Sequence, residues 1–94
     1  MASVIALGAC VHGRPSVEYV LAQQAFLAAK EVDAAKYSPS FYHKAEESYR
    51  RGVNLFNDRQ YDEAIEEFQQ AKSFAERAEN AARAQRQKTG DEAL

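Results

Sequence analysis

From Val17 onward the apolar positions recur with helical spacing. Leu21, Ala25, Ala28, Val32 and Ala35 lie three or four residues apart, flanked by Ala22, Phe26 and Ala29. This pattern predicts a helix over 17–36, with Ser16 suited to its N-cap. The stripe is broad and made of small residues, which favours close approach by a neighbouring helix. Tyr37-Ser38-Pro39-Ser40 then interrupts the pattern. Ser38 is suited to cap a second helix and Pro39 to open it, where no amide donor is required. That helix is predicted over 39–57. One face carries Phe41, Ala45, Ser48, Gly52 and Leu55, and an adjoining one carries Tyr42, Tyr49, Val53 and Phe56. The polar turn Asn57-Asp58-Arg59-Gln60 is short enough to make the next helix an antiparallel neighbour. A third helix is predicted over 61–88, with Gly90 as its terminator and 91–94 as a tail. Its stripe is Tyr61, Ala64, Ile65, Phe68, Ala71, Ala75, Ala78 and Ala82.

An internal repeat ties the first and third helices together. Tyr19-x2-Ala22-x3-Phe26-x2-Ala29 returns 42 residues later as Tyr61-x2-Ala64-x3-Phe68-x2-Ala71. Each copy sets rings two turns apart with alanines that leave room for a partner helix. The expected fold is all-α: a three-helix antiparallel bundle over 17–90. At about 1.5 Å per residue the third helix outreaches the others. Its stretch from Ala78 to Lys88, with Ala81, Ala82 and Gln85, is expected to overhang and to offer a homodimer contact.

Composition narrows the functional classes. Ninety-four residues make one small domain with a thin core. Of these 46% are hydrophobic, many of them alanine, and 28% are charged with a net charge of −2. No cationic excess points to nucleic acid as a partner. Asp62, Glu63, Glu66 and Glu67 lie towards the start of the third helix and Arg83, Arg86 and Lys88 towards its end, as the helix dipole favours. Glu46/Arg50, Glu47/Arg51 and Glu79/Arg83 are set four apart for ion pairing.

Catalytic candidates are poor. His12 lies in the irregular stretch 11–16, which reads as a tether, and His43 stands alone on the second helix. Glu46-Glu47 and Glu66-Glu67 are adjacent, so their side chains splay about 100° apart and share no proton. No cofactor or metal site and no enzymatic activity are expected. Cys10 is the sole cysteine, so no intrachain disulfide can form. The apolar run Ala2–Val11 is well short of the roughly 20 residues of a membrane span and reads as a targeting segment.

Leu7-Gly8-Ala9-Cys10, a large aliphatic and two small residues before cysteine, resembles the lipobox of bacterial lipoproteins. No charged residue precedes Cys10, which departs from the basic opening of a secretory signal. The resemblance implies that residues 1–10 are a partial signal, that diacylglycerol is attached at Cys10, and that the mature chain begins there. With Val11 in place of an inner-membrane aspartate, it also implies an outer-membrane location facing the periplasm.

The second and third helices resemble one tetratricopeptide repeat, through Tyr61-Asp62-Glu63-Ala64-Ile65, Phe68 and Ala71, with Gly52 at the small-residue position. Arg51 replaces the usual leucine and Glu76 the terminating proline. The first helix is similar to the second helix of a truncated preceding unit, giving one and a half units. The resemblance implies a partner-binding face of Glu46, Tyr49, Val53, Phe56 and Asn57. If the first helix lies over that face, its apolar members are core instead.

From about Leu7 to Ala84 the chain resembles a family of small bacterial envelope proteins with a domain of unknown function, often associated with OmpA-like proteins. The implied role is a non-catalytic protein-binding or scaffolding module of the cell envelope, its partner an envelope protein or peptide segment. A cytoplasmic tetratricopeptide-like adaptor and an accessory regulator of a cell-wall enzyme are the alternatives.

Overall fold

The computed structural model describes residues 16–93. Among them all regular structure is helical: α1 (Ser16–Glu31), α2 (Ala34–Tyr37), α3 (Pro39–Asn57) and α4 (Tyr61–Ala93).

The first expected helix is broken. Asp33 adopts the left-handed conformation, φ 57° and ψ 43°. Its amide donates to the Lys30 carbonyl at 3.0 Å, and its own carbonyl accepts from Lys36 and Tyr37 at 2.9 and 3.0 Å. Aspartate is one of the few non-glycine residues that visits this region readily. The redirection places both Val32 and Ala34 in the interior and leaves Ala35 outside.

Ser38 closes α2 and precedes α3. Its amide donates to Ala34 O at 2.8 Å and its carbonyl accepts from the Tyr42 amide at 3.1 Å. Pro39 opens α3 as expected, but the Ser38 hydroxyl makes no capping hydrogen bond. The residue before proline is driven out of the helical region, and here its backbone conformation serves both helix ends.

α3 ends at Asn57 in a Schellman arrangement. The Arg59 amide donates to Phe56 O at 3.0 Å and the Gln60 amide to Leu55 O at 2.9 Å. Arg59 sits at φ 64°, the left-handed residue this cap requires. α4 starts at Tyr61 as predicted but runs through Gly90 to Ala93. A Cβ at Gly90 would meet nothing within 4 Å apart from the backbone of its own helix. A helix already nucleated by packing crosses one glycine at a cost of about 1 kcal/mol, so glycine alone does not stop it.

α4 is the central element, packed along both α3 and α1, whereas α1 and α3 meet more sparsely. One end of the core gathers Ala22, Ala64, Phe68 and Ala71, and the other gathers Ala29, Val32, Ala34, Tyr42, Ala78 and Ala82. Low numbers pair with low, so α1 runs parallel to α4. Alanines let α4 approach both neighbours, and rings fill the space between α1 and α3. Tyr19 lies 4.6 Å from Phe68 and 5.2 Å from Phe56, and Phe26 stacks 5.2 Å from Tyr42, all between ring centroids.

The expected overhang is shorter and more polar than the spacing suggested. Ala78 and Ala82 are fully buried in the cluster that holds Val32 and Ala34, and Ala81 is half-buried. The exposed extension begins at Arg83, and its Gln85 is solvated. The apolar premise for a dimer contact is therefore lost, because the α1–α2 connection carries the core one turn further along α4.

Candidate functional site

The face implied by the tetratricopeptide resemblance divides in two. Tyr49, Val53 and Phe56 are half-buried and pack against the Ala22–Phe68 end of the core. Tyr19 of α1 meets Tyr49 edge-on at 6.0 Å and Phe56 at 5.2 Å, and Phe26 stacks 5.6 Å from Tyr49. Tyr49 and Phe56 are thus covered by rings of α1, and Val53 packs against the same core cluster. Asn57 is exposed, and Glu46 faces His43 at 3.8 Å and Arg50 at 4.0 Å.

Ring burial has a measurable consequence. Burial raises the Tyr42 pKa above 10.0, with Glu46 adding to it. Burial likewise raises Tyr49, helped by Tyr19. The folded chain therefore holds these protons more tightly than the unfolded chain. This stability is complete below about pH 10 and declines as pH rises past that value. Alkaline titration followed by tyrosinate absorbance and far-ultraviolet circular dichroism should show helix loss accompanying ionisation. Tyrosines that ionise like free tyrosine while helicity persists would contradict the buried-ring assignment.

The expected charge pairs form in two cases of three. Glu46/Arg50 is present, and Arg83 Nη2 reaches Glu79 at 2.8 Å. Arg51 does not pair with Glu47. Its Nε donates to Glu67 Oε2 across the α3–α4 interface at 3.0 Å, and its Nη2 donates to Ser48 Oγ at 3.2 Å. Glu67 is the more buried acid, so its carboxylate gains more from a charge-assisted partner than exposed Glu47 does; its Oε1 accepts no hydrogen bond. That hydrogen bond raises the Arg51 pKa.

Among the described residues, chemistry-bearing groups do not converge. His43 is exposed on α3, and among the described residues no three His, Cys, Asp or Glu side chains are placed to hold a metal. Cys10 and His12 lie outside the described residues. A shallow cleft is lined by Val32, Arg83, Arg86 and Gln87. Its cations already have partners: Arg83 binds Glu79, and Arg86 lies over the Tyr37 ring at 6.0 Å.

One surface does not follow from the apolar periodicity. Val17, Val20, Leu21 and Leu27 are 63, 47, 41 and 50% exposed, large apolar side chains left outside on α1. Val17, Val20, Leu21 and Gln24 line a shallow depression there. The periodicity puts Leu21 on the buried stripe. The stripe actually buried is Ala22, Ala29 and Val32, with Phe26 packed beside it. The signal for the second surface is the presence of apolar residues on two opposite sides of one helix, which implies two apolar environments. No described helix is long and apolar enough to cross a membrane. No family model matches the chain, and comparison with curated proteins and with solved structures likewise gives no match.

Proposed function

We propose that the protein is a non-catalytic scaffolding module of the bacterial cell envelope, held to the membrane through lipid at Cys10. The anchor rests on the lipobox resemblance of Leu7-Gly8-Ala9-Cys10, and the observation that carries the scaffolding role is the use of the interior. Phe68, the largest fully buried side chain, is enclosed by Tyr19 and Tyr49 and lies against Gly52. Rings and small residues are thereby committed to holding helices together rather than to walling a substrate cavity. The same contacts support a tetratricopeptide-like α3–α4 hairpin, since Gly52, Ala64, Phe68 and Ala71 are the residues on which that resemblance rests. Within the reading, α1 is the remnant of a preceding unit. The exposed extension of α4 from Arg83 to Gly90 is the part left clear for an envelope protein or peptide segment.

Mass spectrometry of the native protein tests the proposal. The expected species begins at Cys10 and carries the mass of diacylglycerol. Membrane fractionation should place it in the pellet and a Cys10→Ala variant in the soluble fraction. A chain that retains Met1 and an unmodified thiol would overturn the envelope assignment in favour of a cytoplasmic adaptor.

A further inference from the structure

We infer that the outward face of α1 rests on the bilayer surface, with Val17, Val20, Leu21 and Leu27 buried at the boundary between headgroups and acyl chains. This rests on the proposed anchor at Cys10 and adds a second, non-covalent membrane contact to it. The four side chains follow helical spacing on one side of α1, with Gln24 the polar residue among them. The side carrying Ala22, Ala29 and Val32 is buried in the core. α1 is therefore apolar on two opposite faces, and only one is covered within the described residues.

Chain length supplies the occupant. Six residues separate Cys10 from Val17. At about 3.3–3.6 Å per residue, seven steps reach at most about 25 Å. An acylated Cys10 thus holds the first turn of α1 within about 25 Å of the lipid headgroups, close enough for it to reach them. The stripe begins with the residue nearest the anchor and gives way to exposed Glu31, so its N-terminal end enters deepest.

Size argues against a second copy. The exposed parts of four aliphatic side chains amount to on the order of 300 Å², within the range of single patches on monomers. A stable dimer needs about 800 Å² from each partner. A membrane contact need not hold the protein alone, because the acyl chains already confine it to the surface. The chain's net charge of −2 offers no attraction to anionic headgroups, so the contact is apolar and insensitive to salt.

The chain contains no tryptophan, so Val20→Trp introduces a single reporter on this face. The full-length lipidated protein, its diacylated Cys10 first verified by mass, is reconstituted into phosphatidylethanolamine–phosphatidylglycerol vesicles. Parallel samples contain lipids brominated near the glycerol end of the acyl chains. The expected result is a blue-shifted emission quenched roughly twofold or more by brominated lipid, independent of salt, as for a side chain seated at the acyl boundary. Gln70→Trp, at an exposed position on α4, should show neither effect. Diacylated protein whose reporter at position 20 is not quenched overturns the inference while leaving the anchor intact. A blue shift that grows with protein concentration and ignores brominated lipid assigns the face to a second copy and also overturns it. Unmodified Cys10 fails at the first step and removes the anchor and the inference together.

Discussion

Phe68→Ala is expected to lower the unfolding free energy by about 3–5 kcal/mol, the usual cost of emptying a fully buried aromatic site. The ring is 0% exposed and sits 4.6 Å from the Tyr19 centroid and 5.9 Å from that of Tyr49. Its loss removes the contact that joins α4 to both neighbours at one end of the core. At about 0.05–0.15 kcal/mol per residue, a domain this small has only some 4–12 kcal/mol in total. Much of the population should therefore be unfolded at physiological temperature. Urea denaturation followed by circular dichroism measures the change. A loss below about 1 kcal/mol would mean that the alanine faces hold the helices without the ring, and that Phe68 does not join α4 to its neighbours.

The second large effect is one of sign. Glycine to alanine within a solvated helix gains about 1 kcal/mol. At Gly52 the same change should cost about 1–2 kcal/mol net, because overpacking penalties of about 1–3 kcal/mol outweigh the propensity gain. A Cβ there would stand 2.7 Å from both Cδ1 and Cε1 of Phe68. That ring is boxed in and cannot easily retreat. Gly90→Ala is the internal control, since a Cβ there meets open space and helicity should rise. Phe68→Leu combined with Gly52→Ala should recover part of the loss, a coupling expected only of residues in contact. Two stabilising glycine replacements would show that α3 and α4 are not pressed together at Gly52.

Legibility varied with the range of the interaction. Pro39 and the Asn57–Gln60 turn delimit α3 at its observed ends, because a missing amide and a polar tetrapeptide act within a few residues. The repeat is a sharper guide to α1 than its apolar periodicity. Ala22 and Ala29 are buried like their counterparts Ala64 and Ala71, whereas of the periodic stripe Val32 is buried, Ala25 and Ala28 are half-buried, and its two ends, Leu21 and Ala35, are exposed. Among the groove residues, Tyr49, Val53 and Phe56 are legible in the sequence as one apolar face. Whether α1 covers it depends on how two helices separated by a turn come together.

From the sequence alone follow the all-helical class, the limits of α3, the start of α4 and the small-residue positions where helices can approach. These depend on local backbone preference and side-chain volume. Tertiary structure decided the rest: the bend at Asp33, the choice of Glu67 over Glu47 by Arg51, the passage of α4 through Gly90, and which side of α1 meets the core. Each was a choice between local options differing by about 1 kcal/mol, as helix propensities and exposed ion pairs do. Packing against a distant helix contributes more than that, and so it selected among them.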